Sequence, residues 1–172
     1  MEIKSIGVIG AGQMGLGIAH VCAASGHDVN IVDIDDAALE KAVGTIDSNL
    51  GRLVSRGKIS DADKKAALSK ISTNTSLDSL SNCDLVIEAA TENEEIKKAI
   101  YAQVCPILKE DAILSTNTSS LSLRHFLILK SSLSTLRPKT QLASSLSKAQ
   151  PLRPRSQHTT FYIIAPICSV VA

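Results

Sequence analysis

The sequence is poor in aromatic residues, since it lacks tryptophan and contains only two tyrosines and two phenylalanines. A hydrophobic core must therefore rest on Ala, Val, Ile and Leu, the aliphatic residues that are common in buried parallel sheets. The net charge of +1 gives no reason to expect a nucleic acid as partner. The longest apolar run, Phe161 to Ile167, is far shorter than the ~20 residues that a membrane span requires. At 172 residues, the chain suffices for one ordinary globular domain.

The four cysteines, Cys22, Cys83, Cys105 and Cys168, show neither C-x-x-C spacing nor a cluster with histidine. We interpret them as free thiols in a reducing compartment, the alternative being a disulfide or a metal site. The first apolar run begins within a few residues of Met1, so no targeting segment is expected. Together these features predict a cytoplasmic location, with the mitochondrial matrix as the alternative.

Glycine and acidic residues stop abruptly along the chain. All nine glycines lie at or before Gly57, and all 17 acidic residues lie at or before Asp111. The stretch from 112 to 172 has a net charge of +7, whereas the part before it has a net charge of −6. Average composition would place about a dozen glycines and acids in that stretch. We therefore predict one domain over 1–122 and an atypical basic, Ser- and Leu-rich tail over 123–172.

Two interpretations of the tail remain open. It is either out-of-frame or alternatively spliced sequence, or a segment that docks on an anionic surface. In the first case the apolar residues 161–164 form an aggregation-prone end with nothing evident to pack on.

Before the tail, short apolar runs alternate with segments of helical spacing. We predict strands at 3–9, 28–33, 71–73, 84–89 and 113–117. We predict helices at 14–25, 37–54, 61–69 and 93–104, the third of them opened by a capping box of Ser60 and Asp63. Strands that alternate with helices indicate a parallel sheet with right-handed crossovers. The predicted fold class is α/β, a doubly wound Rossmann sheet with a helical insertion after the second strand and an irregular C-terminal tail.

The sequence G-A-G-Q-M-G over residues 10–15 follows the first strand and opens the first helix. In this context G-x-G-x-x-G indicates a dinucleotide site. Gly10 permits the tight turn, Gly12 lets a pyrophosphate approach the backbone, and Gly15 lets the helix pack closely on the sheet. The alternative is a glycine-rich turn that binds nothing. The predicted cofactor-binding residues of this loop are Gly10, Gly12, Gln13, Met14 and Gly15.

Asp33 follows the glycine loop at the end of the second strand. A carboxylate at this position accepts hydrogen bonds from the hydroxyls of the adenosine ribose and repels a 2′-phosphate. The residues after it, Ile34, Asp35 and Asp36, include no Arg or Lys that would hold such a phosphate. The predicted cofactor is therefore NAD rather than NADP. The alternative role for Asp33 is a helix N-cap.

Four segments together resemble the L-3-hydroxyacyl-CoA dehydrogenase family. Residues 6–19 resemble its opening strand, glycine loop and helix, and residues 84–92 its fourth strand and following turn. Residues 56–59 resemble its helical excursion, and residues 115–120 the signature of its fifth strand. The resemblance covers residues 1 to about 122. It implies oxidation of a (3S)-3-hydroxyacyl-CoA to the 3-ketoacyl-CoA by hydride transfer to NAD.

The resemblance also implies roles near the reacting centre. Glu92 and Lys97 would lie near the cofactor, the alternatives being a helix-start acid and a solvated helix lysine. Ser119 would hydrogen-bond the reacting oxygen, and Asn117 would shape its loop, unless both only end the strand.

Further roles concern the rest of the substrate. Arg56 and Lys58 would point towards coenzyme A, the alternative being an exposed basic helix end.

The family's catalytic histidine lies in a His-Phe-x-Asn-Pro context with a later glutamate, which His125 lacks here because Leu-Ile-Leu follows Phe126. His158 has no acidic partner after it. The catalytic His and Glu and the family's helical, dimer-forming C-terminal domain are therefore expected to be missing, with weak or no turnover. Other Rossmann 3-hydroxy acid dehydrogenases and a non-catalytic NAD-binding module with a docking tail are the alternatives.

Overall fold

The computed structural model describes residues 3–117 together with the strand Phe161–Ile164. The strands are β1 Ser5–Ile9, β2 Asp28–Val32, β3 Ile71–Asn74, β4 Leu85–Glu88, β5 Ile113–Asn117 and β6 Phe161–Ile164. The helices are α1 Gln13–Ala24, α2 Asp36–Ser55, α3 Asp61–Ser69 and α4 Glu94–Val104, with a short 3₁₀ helix at Leu77–Leu80. Every predicted helix and strand is present, with ends that differ by at most two residues. The 3₁₀ helix was not predicted, because four residues carry too little periodicity.

The strands form one sheet in the order β3-β2-β1-β4-β5-β6. The first five are parallel, as the alternation of strands and helices predicts. The chain moves outward from β1 to β3 and then crosses back to β4 on the other side of β1. The gap between β1 and β4 is therefore the topological switch point, where doubly wound sheets bind ligands. The predicted Rossmann fold is confirmed.

Apolar side chains alternate between the two faces of the sheet, and each face is covered by helices. Val8, Val29 and Ile31 pack with α1, α2 and α3 on one face. Val86 and Leu114 pack with α4 and the 3₁₀ helix on the other. The sheet is thus a buried middle layer, which explains why its strands read as nearly continuous aliphatic runs.

The structure of residues 161–164 differs from the prediction of an irregular tail whose apolar segment has nothing to pack on. They form β6, which pairs antiparallel with β5, so this apolar segment does have a partner and the tail is not irregular throughout. The physical reason is that β5 would otherwise leave a row of unpaired backbone groups, and a Phe-Tyr-Ile-Ile run is well suited to complete such an edge.

The long insertion between β2 and β3 consists of α2 and α3. The capping box predicted at the start of α3 is present: the Ser60 hydroxyl accepts from the Asp63 N–H at 3.1 Å, and the Asp63 carboxylate accepts from the Ser60 N–H at 2.9 Å. None of these helices, nor any other in residues 3–117, is both long and apolar enough to cross a membrane.

Candidate dinucleotide site

The carboxyl ends of β1, β2, β4 and β5 bring most of the predicted site residues to one edge of the sheet. The glycine loop follows β1, Asp33 follows β2, the turn before α4 follows β4, and Asn117 ends β5. A dinucleotide in a Rossmann fold binds across this edge at the switch point.

The three glycines of the loop occupy three different environments. Gly10 has a φ of +105°, and a Cβ there would lie 2.6 Å from the Ala90 Cα. A Cβ on Gly15 would lie 1.8 Å from the carbonyl oxygen of Gly10, so α1 can approach β1 only because this residue has none. A Cβ on Gly12 would meet no atom within 4 Å. Gly12 thus exposes its backbone to open space, as a site for a pyrophosphate requires.

The start of α1 differs from the starts of the other helices. Side-chain oxygens of Asp35, Ser60 and Asn93 cap α2, α3 and α4, and each of these helices has an acidic residue in its first turn. Within residues 3–117, α1 alone begins without a side-chain cap or a first-turn acid, and its N-cap is Gly12. The partial positive charge of the α1 N-terminus is therefore left for an anion.

Asp33 lies at the end of β2 and holds the glycine loop. One carboxylate oxygen accepts from the Ala11 N–H at 2.7 Å and the other accepts from the Asp35 N–H at 3.1 Å. Each oxygen has two acceptor lone pairs, so the carboxylate can also accept from ribose hydroxyls. The alternative of Asp33 as the cap of α2 is wrong, because the Asp35 side chain caps that helix.

Lys97 and Glu88 form an ion pair that is fully buried between α4 and β4. The Lys97 Nζ lies 2.5 Å from Glu88 Oε2, and neither side chain is exposed. The alternative of Lys97 as a solvated helix residue is therefore wrong. A buried charge is tolerated only with a partner, and removal of one partner from such a pair costs about 3–5 kcal/mol.

Two hydroxyls complete this cluster. Tyr101 donates to Glu88 Oε2 at 3.0 Å, and Thr116 donates to the same oxygen at 2.7 Å. Lys97 also donates to the Thr116 hydroxyl at 3.3 Å. Burial is the main cause that raises the pKa of Tyr101, so its hydroxyl stays protonated and remains a donor. The glutamate was not singled out from the sequence, although an acidic residue that ends an apolar strand signals a buried partner.

The other residues predicted for the site belong neither to the glycine loop nor to the buried cluster around Glu88. Glu92 is exposed, next to Asn93, the N-cap of α4. Arg56 and Lys58 are exposed at the end of α2, a helix whose 20 residues span about 30 Å, so the structure does not bring them to the glycine loop. Ser119, His125 and His158 lie outside the described residues.

A second carboxylate cluster lies at the opposite, amino edge of the sheet. The carboxylate of Asp84 accepts from the N–H groups of Lys4 and Ser5, both at 2.9 Å, and from Lys109 Nζ at 2.6 Å. The Lys109 ammonium, followed by the two N–H groups, holds the pKa of Asp84 well below its usual range. This cluster fixes the start of β1 to the start of β4, far from the glycine loop.

The geometry of the loop, the uncapped α1 and Asp33 agrees with what sequence comparison finds. The model of the NAD binding domain of 3-hydroxyacyl-CoA dehydrogenase matches residues 5–148. The chain belongs to this family. It carries the family's NAD-binding domain, and the match extends beyond residue 122 into the basic tail.

Individual relatives give the same result. A 3-hydroxybutyryl-CoA dehydrogenase of Bradyrhizobium diazoefficiens is 48% identical over 121 residues, which are 70% of this chain and 41% of that protein. A 3-hydroxyadipyl-CoA dehydrogenase of Escherichia coli K12 is 40% identical over 72% of this chain and 26% of its own length. A crystal structure of (S)-3-hydroxybutyryl-CoA dehydrogenase from Ralstonia eutropha superposes with a TM-score of 0.71 at 45% identity, covering 74% of this chain and 45% of that one. The chain thus spans less than half the length of these relatives.

Proposed function

We propose that residues 1–122 bind NAD as the cofactor half of a dehydrogenase that oxidises (3S)-3-hydroxyacyl-CoA to 3-ketoacyl-CoA. The observation that carries the proposal is the open space at Gly12, at the start of an uncapped helix and next to the Asp33 carboxylate. A pyrophosphate fits there because it finds backbone N–H groups, a helix dipole and no side chain in its way.

Each predicted residue takes a role in this proposal. Residues 10–15 would hold the pyrophosphate, with Gln13 and Met14 in the exposed first turn of α1. Asp33 would accept from the adenosine ribose and disfavour NADPH. Bound NAD supplies the hydride acceptor. Glu92 and Lys97 would lie near the cofactor.

The substrate is an acyl-CoA. Ser119 would donate to the reacting oxygen while Asn117 shapes its loop, and Arg56 and Lys58 would contact coenzyme A. We propose weak or absent turnover for these 172 residues, because no acidic residue follows Asp111 to pair with a catalytic histidine. Since relatives are named for 3-hydroxybutyryl-CoA, acetoacetyl-CoA with NADH is the first substrate pair to assay, by absorbance at the nicotinamide band. We also propose that the protein is located in the cytoplasm.

The direct test is a titration with NADH and with NADPH, followed by nicotinamide fluorescence. We expect saturable NADH binding and at least tenfold weaker NADPH binding. Asp33→Asn removes the charge that repels the 2′-phosphate, so the ratio of the two dissociation constants should fall about tenfold.

Asp28→Asn is the matched control, because Asp28 is an exposed aspartate at the other end of β2 that pairs only with Lys70 among the contacts seen. It should leave both dissociation constants unchanged. Absence of binding by a chain whose circular dichroism shows native helix would contradict the proposal.

A further inference from the structure

Glu88 holds the turn that leaves β4 at the carboxyl edge of the sheet. Its Oε1 accepts from the N–H of Ala90 at 3.0 Å and from the N–H of Thr91 at 3.4 Å. The Glu88 side chain is fully buried, whereas the turn that it holds is partly exposed. The conformation of the turn is therefore tied to one carboxylate oxygen.

This turn lies directly against the glycine loop. The Ala89 N–H donates to the carbonyl of Ile9 at 2.8 Å. A Cβ on Gly10 would lie 2.6 Å from the Ala90 Cα and 2.7 Å from the Ala89 oxygen, so the backbones of the loop and the turn are in close contact. The turn after β4 therefore forms part of the wall of the dinucleotide crevice, beside the glycine loop.

The other oxygen of the same carboxylate fixes β5 and α4. Glu88 Oε2 accepts from Lys97, Tyr101 and Thr116. Thr116 immediately precedes Asn117, the last residue of β5. One buried side chain thus joins the turn after β4, the helix α4 and the end of β5.

These three elements lie on one side of the switch point, and Asp33 lies on the other. With the adenosine at Asp33, a dinucleotide that crosses the switch point has its nicotinamide half on the β4–β5 side. We infer that Glu88 is a positioning residue that sets the nicotinamide half of the site without itself contacting the cofactor. The inference rests on the proposed function, since it assumes that NAD binds at this edge.

The test compares Glu88→Gln with the unmodified chain for two ligands, NADH and ADP. ADP contains the adenosine and a diphosphate but no nicotinamide half. Glutamine keeps the size of the side chain, but its amide nitrogen donates and cannot accept. The donors that face this nitrogen therefore lose the acceptor that a carboxylate oxygen of Glu88 provides. We expect the NADH dissociation constant to rise at least tenfold by fluorescence, and the ADP dissociation constant to change less than twofold by calorimetry.

Asp84→Asn is the matched control for a general loss of stability. Asp84 also holds backbone N–H groups and a lysine, but at the opposite edge of the sheet. It should lower the melting temperature and leave the ratio of NADH to ADP affinity unchanged. If Asp84→Asn changes that ratio as much as Glu88→Gln does, a merely structural role explains both and the inference fails.

Thr116→Val keeps the test decisive if Glu88→Gln does not fold. It removes only the hydroxyl that donates to Glu88, and it should weaken NADH about threefold or more with ADP unaffected. If a folded Thr116→Val or Glu88→Gln chain has the same ratio of NADH to ADP affinity as the unmodified chain, the inference about Glu88 fails, while the proposed function is unaffected. If the unmodified chain binds neither ligand, the proposed function fails as well.

Discussion

Alanine substitutions at Gly12, Gly15 and Gly17 should separate binding from folding in one short stretch of chain. Gly12 has a φ of −68° and a ψ of −177°, which alanine adopts without strain, and its Cβ would meet nothing within 4 Å. Because alanine is a poorer N-cap than glycine, Gly12→Ala should cost about 0.5–1 kcal/mol of unfolding free energy. In a domain of about 100 residues this lowers the melting temperature by roughly 2–8 °C.

The effect of Gly12→Ala on NADH should be larger than its effect on the fold. The new methyl would occupy the space through which the pyrophosphate reaches the backbone. We expect the NADH dissociation constant to rise at least tenfold, equivalent to about 1.4 kcal/mol. The fluorescence titration and a thermal melt on the same preparation measure the two effects side by side.

Two neighbours provide the contrasts. Gly15→Ala would place a Cβ 1.8 Å from the Gly10 oxygen, so α1 must shift, and overpacking of this kind costs about 1–3 kcal/mol or more. Gly17→Ala is in the interior of α1 with open space around it, so it should gain about 0.5–1 kcal/mol and leave NADH binding intact. NADH affinity that survives Gly12→Ala, or a Gly12→Ala chain as destabilised as Gly15→Ala, would refute the reasoning.

Two further predictions concern stability. The lowered pKa of Asp84 means that its carboxylate stabilises the fold above its unfolded pKa of about 3.9, and that this contribution is lost as the pH falls from about 5 towards 2. Urea melts should therefore show a difference between the parent chain and Asp84→Asn that is full at pH 6 and shrinks in acid; a constant difference would speak against the Lys109 and backbone contacts as its cause. Ser60→Ala breaks the capping box of α3 and should cost about 1 kcal/mol, whereas Ser60→Thr should stay close to the parent in the same melts.

Local patterns predicted the fold well. Within residues 3–117, aliphatic runs and helical spacing identified the five parallel strands and the four α-helices, because each pattern is repeated within one element. The Ser60–Asp63 capping box was also readable, since its two members are three residues apart. Element ends were less certain, because the last turn of a helix carries no periodic signal of its own.

Part of the site could also be predicted from residues that lie close together in the sequence. The glycine loop could be predicted because its constraints act within six residues: a left-handed turn, an open backbone and a close helix approach. The position of Asp33 followed from the end of β2. The sequence left two alternatives for this residue open; the structure excludes the N-cap role, because Asp35 caps α2, and the ribose-binding role stays a prediction.

The sequence by itself determined the order of strands and helices, the glycine loop and the family. Only the tertiary structure decided that Glu88 lies at the centre of a buried cluster and that residues 161–164 complete the sheet edge. Lys97, Tyr101 and Thr116 reach Glu88 across separations of 9, 13 and 28 residues. These contacts depend on which strands are neighbours and on which face of α4 meets the sheet, and the packing of the whole domain sets both.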